Sequence, residues 1–223
     1  MKSHIYIFSF GALLVAGCNP TPSTPVCPSG TANIIQYHNP EPDLHASSAS
    51  TLSLNTLADM PCYYPANNDS VAYINLDVDG DSANDFRFSV SHNVSWTGWT
   101  PASQCEHYFY GIAVESLVPG DRVMAEMVNE SEYADFLDSN EIIGITGNFS
   151  TSDNCFIHKH FPITFTSWYN HWIPGSTYIG YKINRNNNTY YGWIQINGQN
   201  HELFIQSWAF NTIPGNCVQA GEQ

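Results

Sequence analysis

The sequence predicts an all-β protein, a single antiparallel β-sandwich of jelly-roll type, and three observations carry the prediction. Short runs rich in β-branched and aromatic residues, such as 71–76, 85–91 and 107–114, are bounded by Gly, Pro, Asn and Asp. Within 86–91, Phe86, Phe88 and Val90 alternate with Arg87, Ser89 and Ser91, a period of two that sets one face on a core and one in water. The C-terminal third repeats the pattern: 178–184, a turn at 185–188, 189–197, a turn at 198–199 and 200–210 read as a three-stranded meander.

Composition narrows the function classes. The chain has 223 residues, 43% of them hydrophobic and 14% aromatic, enough to build one sizeable core and to exclude wholesale disorder. Only 12% are charged, about half the ~25% usual in soluble domains. Six Lys and Arg stand singly against twenty Asp and Glu, a formal charge of −14, so binding of nucleic acid through a basic patch is excluded.

Along the chain, residues 1–17 read as a signal peptide: Lys2, an apolar run from Ile5 to Ala16 too short to span a bilayer, then small residues before Cys18. Val15, Ala16, Gly17 and Cys18 resemble the bacterial lipobox, which implies cleavage before Cys18 and lipidation of that cysteine. Several acyl chains hold stably where one is marginal. Residues 18–30 then form a tether, with Pro20, Pro22 and Pro25 between Ser and Thr favouring an extended spacer. Asn19, rather than the Asp that retains some lipoproteins at the inner membrane, favours the outer membrane. The expected address is extracytoplasmic, with the membrane as a partner through the lipid, and the β-sandwich occupies 31–223.

Beyond Cys18 five cysteines remain, in a compartment that permits disulfides, and an odd number leaves at least one unpaired. Cys105 and Cys155 each stand just ahead of an aromatic strand-like run and are the favoured pair. No CxxC occurs, so a cysteine zinc site is not expected. Residues 115–141 hold eight acids against Arg122 alone. There, 131–138 reads either as one or two turns of helix capped by Ser131 or as a long loop or lid.

One motif carries specific chemistry. Asp77, Asp79, Asp81 and Asp85 fall at relative positions 1, 3, 5 and 9 between two strand-like runs, with Ala83 at position 7 offering a carbonyl. Four carboxylates so close repel one another unless a cation sits between them, and Ca²⁺ wants six to eight such oxygens. An EF-hand is excluded, since Ser82 replaces its glycine and Phe88 its bidentate glutamate. The spacing resembles instead the calcium loops of FG-GAP and VCBS-type repeats, with Ser82 where a second glycine is usual. That resemblance implies a structural Ca²⁺ held by Asp77, Asp79, Asp81, Ala83 and Asp85, without implying the propeller those repeats build. The hairpin, together with Tyr190, Tyr191, Gly192, Trp193 and Ile194, also resembles uncharacterised secreted β proteins of Bacteroidota with a YYGWI-type strand, a group that implies no activity.

Weaker constellations complete the reading. His158 and His160, two apart on a strand, could share a metal with His171 or His107, although nothing fixes a third ligand. Trp96, Trp99, Trp168 and Trp172 lie in loop-like stretches where exposed indoles would stack on sugar rings, while Trp193 and Trp208 read as core or face-packing. Catalytic residues are not identifiable. There is no Gly-x-Ser-x-Gly, HExxH or phosphate loop, and Glu106, Glu115 and Glu202 are unranked candidates for a carboxylate pair. The expectation is a calcium-stabilised, membrane-anchored binding or structural module with polysaccharide as the leading ligand class. The alternative is a carbohydrate-active hydrolase using paired carboxylates.

Overall fold

The alternation at Phe86, Phe88 and Val90 becomes β4 (Phe86–Ser95), with all three side chains fully buried. The computed structural model describes residues 33–48, 70–95, 107–128, 131–160, 175–199 and 202–223. Antiparallel to β4 on its two sides run β3 (Ser70–Leu76) and β5 (His107–Ser116). The sheet continues through β11 (Asn154–His160), β8 (Ser131–Ala134) and β7 (Ala125–Val128) in the order β3-β4-β5-β11-β8-β7. Its neighbours are antiparallel except β11 and β8, which meet in parallel at Phe156 and Tyr133.

The expected meander forms the centre of a second sheet, from β12 (Thr177–Arg185), β13 (Asn188–Gln199) and β14 (Glu202–Asn211). Asn186 and Asn187 make the first turn with φ of 52° and 64°. Asparagine tolerates this left-handed backbone, and the two-residue turn matches the twist of the strands it joins. On β14, β1 (Ile35–His38) pairs with residues 208–211 and β2 (Leu44–Ser47) with 202–205, while β6 (Arg122–Val123) and β9 (Phe136–Leu137) pair with β12. A separate ribbon joins β10 (Ile142–Ile143) to β15 (Val218–Gln219).

The two large sheets pack face to face, because their alternate residues meet in one apolar cluster. Ile74, Leu76, Phe86, Phe88, Val90, Ile112 and Val114 come from one sheet, and Ile179, Tyr181, Ile183, Ile194, Ile196, Leu203 and Ile205 from the other. Burying each large side chain contributes about 2 kcal/mol. The opposite face of the meander is covered too. Met124, Leu137, Ile143, Tyr191, Trp193, Ala209, Val218 and Ala220 form a second cluster under the β10–β15 ribbon. On β14 the inward residues change from odd (Leu203, Ile205) to even (Phe210), because Gln206 is an extra residue where the register slips between Gln195 and Ile196.

The Tyr-Tyr-Gly-Trp-Ile strand is explained by this double burial. Tyr191 and Trp193 face the second cluster, Ile194 the first, and Trp193 donates its indole N–H to the Glu222 carbonyl at 3.2 Å. Between them, Gly192 lies directly across from Tyr181, where a β-carbon would stand 2.3 Å from the ring Cζ. The glycine therefore makes room for a fully buried tyrosine, whose hydroxyl donates to the Ala209 carbonyl at 3.2 Å.

Two expectations are corrected. Residues 131–138 form neither helix nor lid: 131–134 and 136–137 are strands, Tyr133 and Ala134 are buried, and β7 and β8 pair throughout. Core-facing burial and ladder pairing override the weak capping signal. Cys155 does not bond Cys105: it is a free, buried thiol in the main core, in register with Val114. Burial, with Glu132 charge second, pushes that thiol up to about 12, which makes it unreactive. Cys105 itself lies outside the described residues, as do Cys18 and the whole of 1–30. No helix among the described residues is long and apolar enough to cross a membrane.

Candidate functional site

The acidic motif is the connection between β3 and β4, closed where the Asp85 N–H donates to the Leu76 carbonyl at 2.9 Å. Gly80 and Ser82 adopt φ of 76° and 75°, and these left-handed residues turn the chain sharply enough for its amides to point inward. Asp77 accepts the N–H of Gly80 at 2.7 Å on Oδ1 and that of Ser82 at 2.8 Å on Oδ2. Asp81 Oδ1 accepts from Ala83 at 2.8 Å, Asp79 Oδ1 from Asp81 at 3.2 Å, and Asp85 Oδ2 from Val78 at 2.8 Å. Carboxylate oxygens of Asp77, Asp79 and Asp85 all fall within 4.8 Å of one another. Asp81 stands apart from this triad, its side chain 49% exposed.

A guanidinium enters the loop from the other sheet. Arg185, last residue of β12 before the two-asparagine turn, donates Nε to Asp79 Oδ2 at 2.7 Å and Nη2 to Asp85 Oδ1. Its Nη1 reaches both oxygens of Asp121, at 3.2 and 3.0 Å, and the Asn184 carbonyl at 2.9 Å. Asp121, in the link from β5 to β6, also accepts the Asn184 N–H at 2.8 Å. Arg185 and Asp121 carry no local motif, and their separations of 64 to 106 residues from their partners hid them from sequence reasoning. Scarcity was the available signal: with six bases against twenty acids, any arginine beside a turn is a candidate counter-ion. Arg87 and Arg122 are likewise engaged, with Glu115 at 3.6 Å and Asp153 at 2.8 Å.

Electrostatics follow from this geometry. Asp85 and Asp121 are completely buried. Burial is the largest influence on Asp85 and pushes it up to about 6, with the Val78 amide and Arg185 opposing and Asp79 and Asp121 adding; it is still ionised at neutral pH. Asp121 is raised for the same first reason, against the Asn184 amide and Arg185. For Arg185 burial works against the charge, but its bonds and proximity to Asp121, Asp85 and Asp79 outweigh it and hold the guanidinium above its ordinary range. The guanidinium thus lies within 4.0 Å of four carboxylates, those of Asp79, Asp81, Asp85 and Asp121, and Asp77 adjoins Asp79 and Asp85. The all-oxygen donor set fits a hard divalent cation, since a carboxylate oxygen bonded to one N–H retains a second lone pair. Ala83 is placed in the turn with its amide on Asp81.

Another acid is held by uncharged donors. Glu132 on β8 accepts the N–H and hydroxyl of Thr151 on Oε1, both at 2.7 Å, and the N–H and hydroxyl of Ser152 on Oε2. Partial burial opposes ionisation, yet the four bonds, with the Ser152 hydroxyl foremost, lower the carboxyl to about 2.

Among the described residues, the remaining candidates do not converge on a site. Glu115 is paired with Arg87 and Glu202 lies 3.9 Å from His45 on neighbouring β2, so each faces a base of its own sheet. His158 and His160 lie on β11 opposite Ile112 and Tyr110. His107 begins β5. Trp96, Trp99, Trp168, Trp172, Glu106 and His171 lie outside the described residues. Trp193 is core, as expected, and Trp208 packs on the main cluster with His38 stacked on it, centroids 5.1 Å apart. Compared with family models, curated proteins and solved structures, the chain matches none.

Proposed function

We propose that this protein is a non-enzymatic, extracytoplasmic binding or structural module, lipid-anchored through Cys18, in which Ca²⁺ joins Arg185 on the 77–85 loop. The observation that carries the calcium reading is the convergence of carboxylate oxygens of Asp77, Asp79 and Asp85 within 4.8 Å, where one guanidinium, that of Arg185, already serves Asp79, Asp81, Asp85 and Asp121. Asp77, Asp79 and Asp85 would be the inner ligands, with Asp81 and the Ala83 carbonyl closing from the solvent side. At an extracellular module's usual affinity, Kd is on the order of 10⁻⁴–10⁻³ M, and the ion's role is to stiffen the hairpin. Polysaccharide is the ligand class proposed for the indoles at Trp96, Trp99, Trp168 and Trp172.

Thermal unfolding of the intact protein tests the calcium reading. Millimolar Ca²⁺ should raise Tm, excess EDTA should reverse the rise, and Asp79→Ala should abolish the response. An identical melting curve in Ca²⁺ and EDTA would sink it. The alternative is a carbohydrate-active hydrolase using paired carboxylates; of its candidate acids, Glu115 lies 3.6 Å from Arg87 and Glu202 3.9 Å from His45, and Glu106 lies outside the described residues.

A further inference from the structure

We propose that Arg185 is the resident cation of the 77–85 loop, so that the loop keeps its folded form, and the two sheets stay locked together at this end, with no metal bound. Three features carry this. The guanidinium bonds Asp79 and Asp85 of the β3–β4 connection while also bonding Asp121, where the β5–β6 link enters its own sheet, so a single side chain on β12 ties the β3–β4 connection of one sheet to the edge of the other. Asp85 and Asp121 have no solvent exposure, and ionised carboxylates so placed require a counter-charge within contact. The donor is also held rigidly: Arg185 pairs with Asn188 across the tight turn, and its Nη1 is fixed further by the Asn184 carbonyl.

With the inner carboxylates anchored, the amides of Val78, Gly80, Ser82 and Ala83 close onto the aspartates. Remove the guanidinium and repulsion among the same acids pulls those bonds apart. Calcium, on the reading above, adds to an arrangement that the chain has already built. The present inference stands without that reading.

Amide hydrogen exchange of the full chain in excess EDTA tests it. The Val78, Gly80, Ser82 and Ala83 amides of the wild type should be protected. In Arg185→Met they should exchange about tenfold faster or more, while the amides of Ile194 and Ile196 in β13 stay protected. If β13 also loses protection, Arg185→Lys becomes the variant to read. It keeps the charge but cannot span three carboxylates, and partial loss confined to the loop is then expected. Wild-type loop amides that are protected only when Ca²⁺ is added would overturn the proposal, as would undiminished protection in both variants. Loop protection indifferent to Ca²⁺ in the wild type but lost in Arg185→Met would support the resident cation and remove the calcium reading.

Discussion

The acids of the 77–85 loop and those of the 115–141 segment face the same difficulty, negative charge crowded on a chain with few bases, in different surroundings. In the loop, Asp85 is completely buried and Asp79 nearly so, with its side chain 10% exposed. Amides alone do not stabilise ionised carboxylates at that depth, and an arginine from the opposite sheet is drawn in. At Glu132 the carboxylate lies near the surface, and two hydroxyls and two amides suffice. Depth, more than the number of acids, decides whether a counter-charge is required, since exposed pairs such as Arg87 with Glu115 contribute little to stability. Asp121 shows the same rule from within the second segment. Among the described acids there it is the one that is completely buried, and it belongs to the arginine cluster.

Removing each partner measures this contrast. Arg185→Ala leaves Asp85 and Asp121 buried without their cation and should lower unfolding free energy by about 3–5 kcal/mol in urea titration. A loss below about 1 kcal/mol would place the pair on a par with surface ion pairs. Glu132→Gln keeps the shape but not the charge of the shallow site, and a loss of about 1 kcal/mol is expected after allowance for solvent screening.

That variant also has a pH signature. The folded carboxyl titrates at about 2 against an ordinary value of 4.5, so its contribution is complete above about 4.5 and falls away as the pH drops toward 2. Stability of the wild type minus that of Glu132→Gln should therefore shrink across this window. A difference that is constant with pH would show that the hydrogen bonds do not depend on ionisation. The smallest effect is expected at Ser82, a non-glycine residue at φ of 75°. Relief of left-handed strain, about 1–2 kcal/mol, exceeds the extra chain entropy of glycine, about 0.5–1 kcal/mol, so Ser82→Gly should stabilise by roughly 0.5 kcal/mol. A stabilised loop in that variant would sharpen the comparison by showing strain retained in the charged turn and not at Glu132.

Much of the fold was readable because its signals are local. Phe86, Phe88 and Val90 announce their strand by alternation, and 177–211 announces a meander by its turns. The strands at 125–128, 131–134 and 136–137 were not readable, since short acidic stretches have no clear period and owe their form to pairing, the first two with each other and the third with β12, and to burial of Tyr133, Ala134 and Leu137. The parity change on β14 was hidden as well, because Gln206 looks like any other strand residue until its partner fixes the register.

By itself the sequence determined the all-β class, the inward face of the central hairpins and the crowding of four aspartates in one turn. Each depends on neighbours within about ten residues, where strand period and turn chemistry act. Only the tertiary structure decided that Cys155 is an isolated core thiol, that Gly192 exists to admit Tyr181, and that Arg185 with Asp121 completes the acidic loop. Those outcomes join segments brought together by the packing of two sheets. Burial then sets the charge balance, because a carboxylate withdrawn from water takes its partner from whatever the fold places beside it.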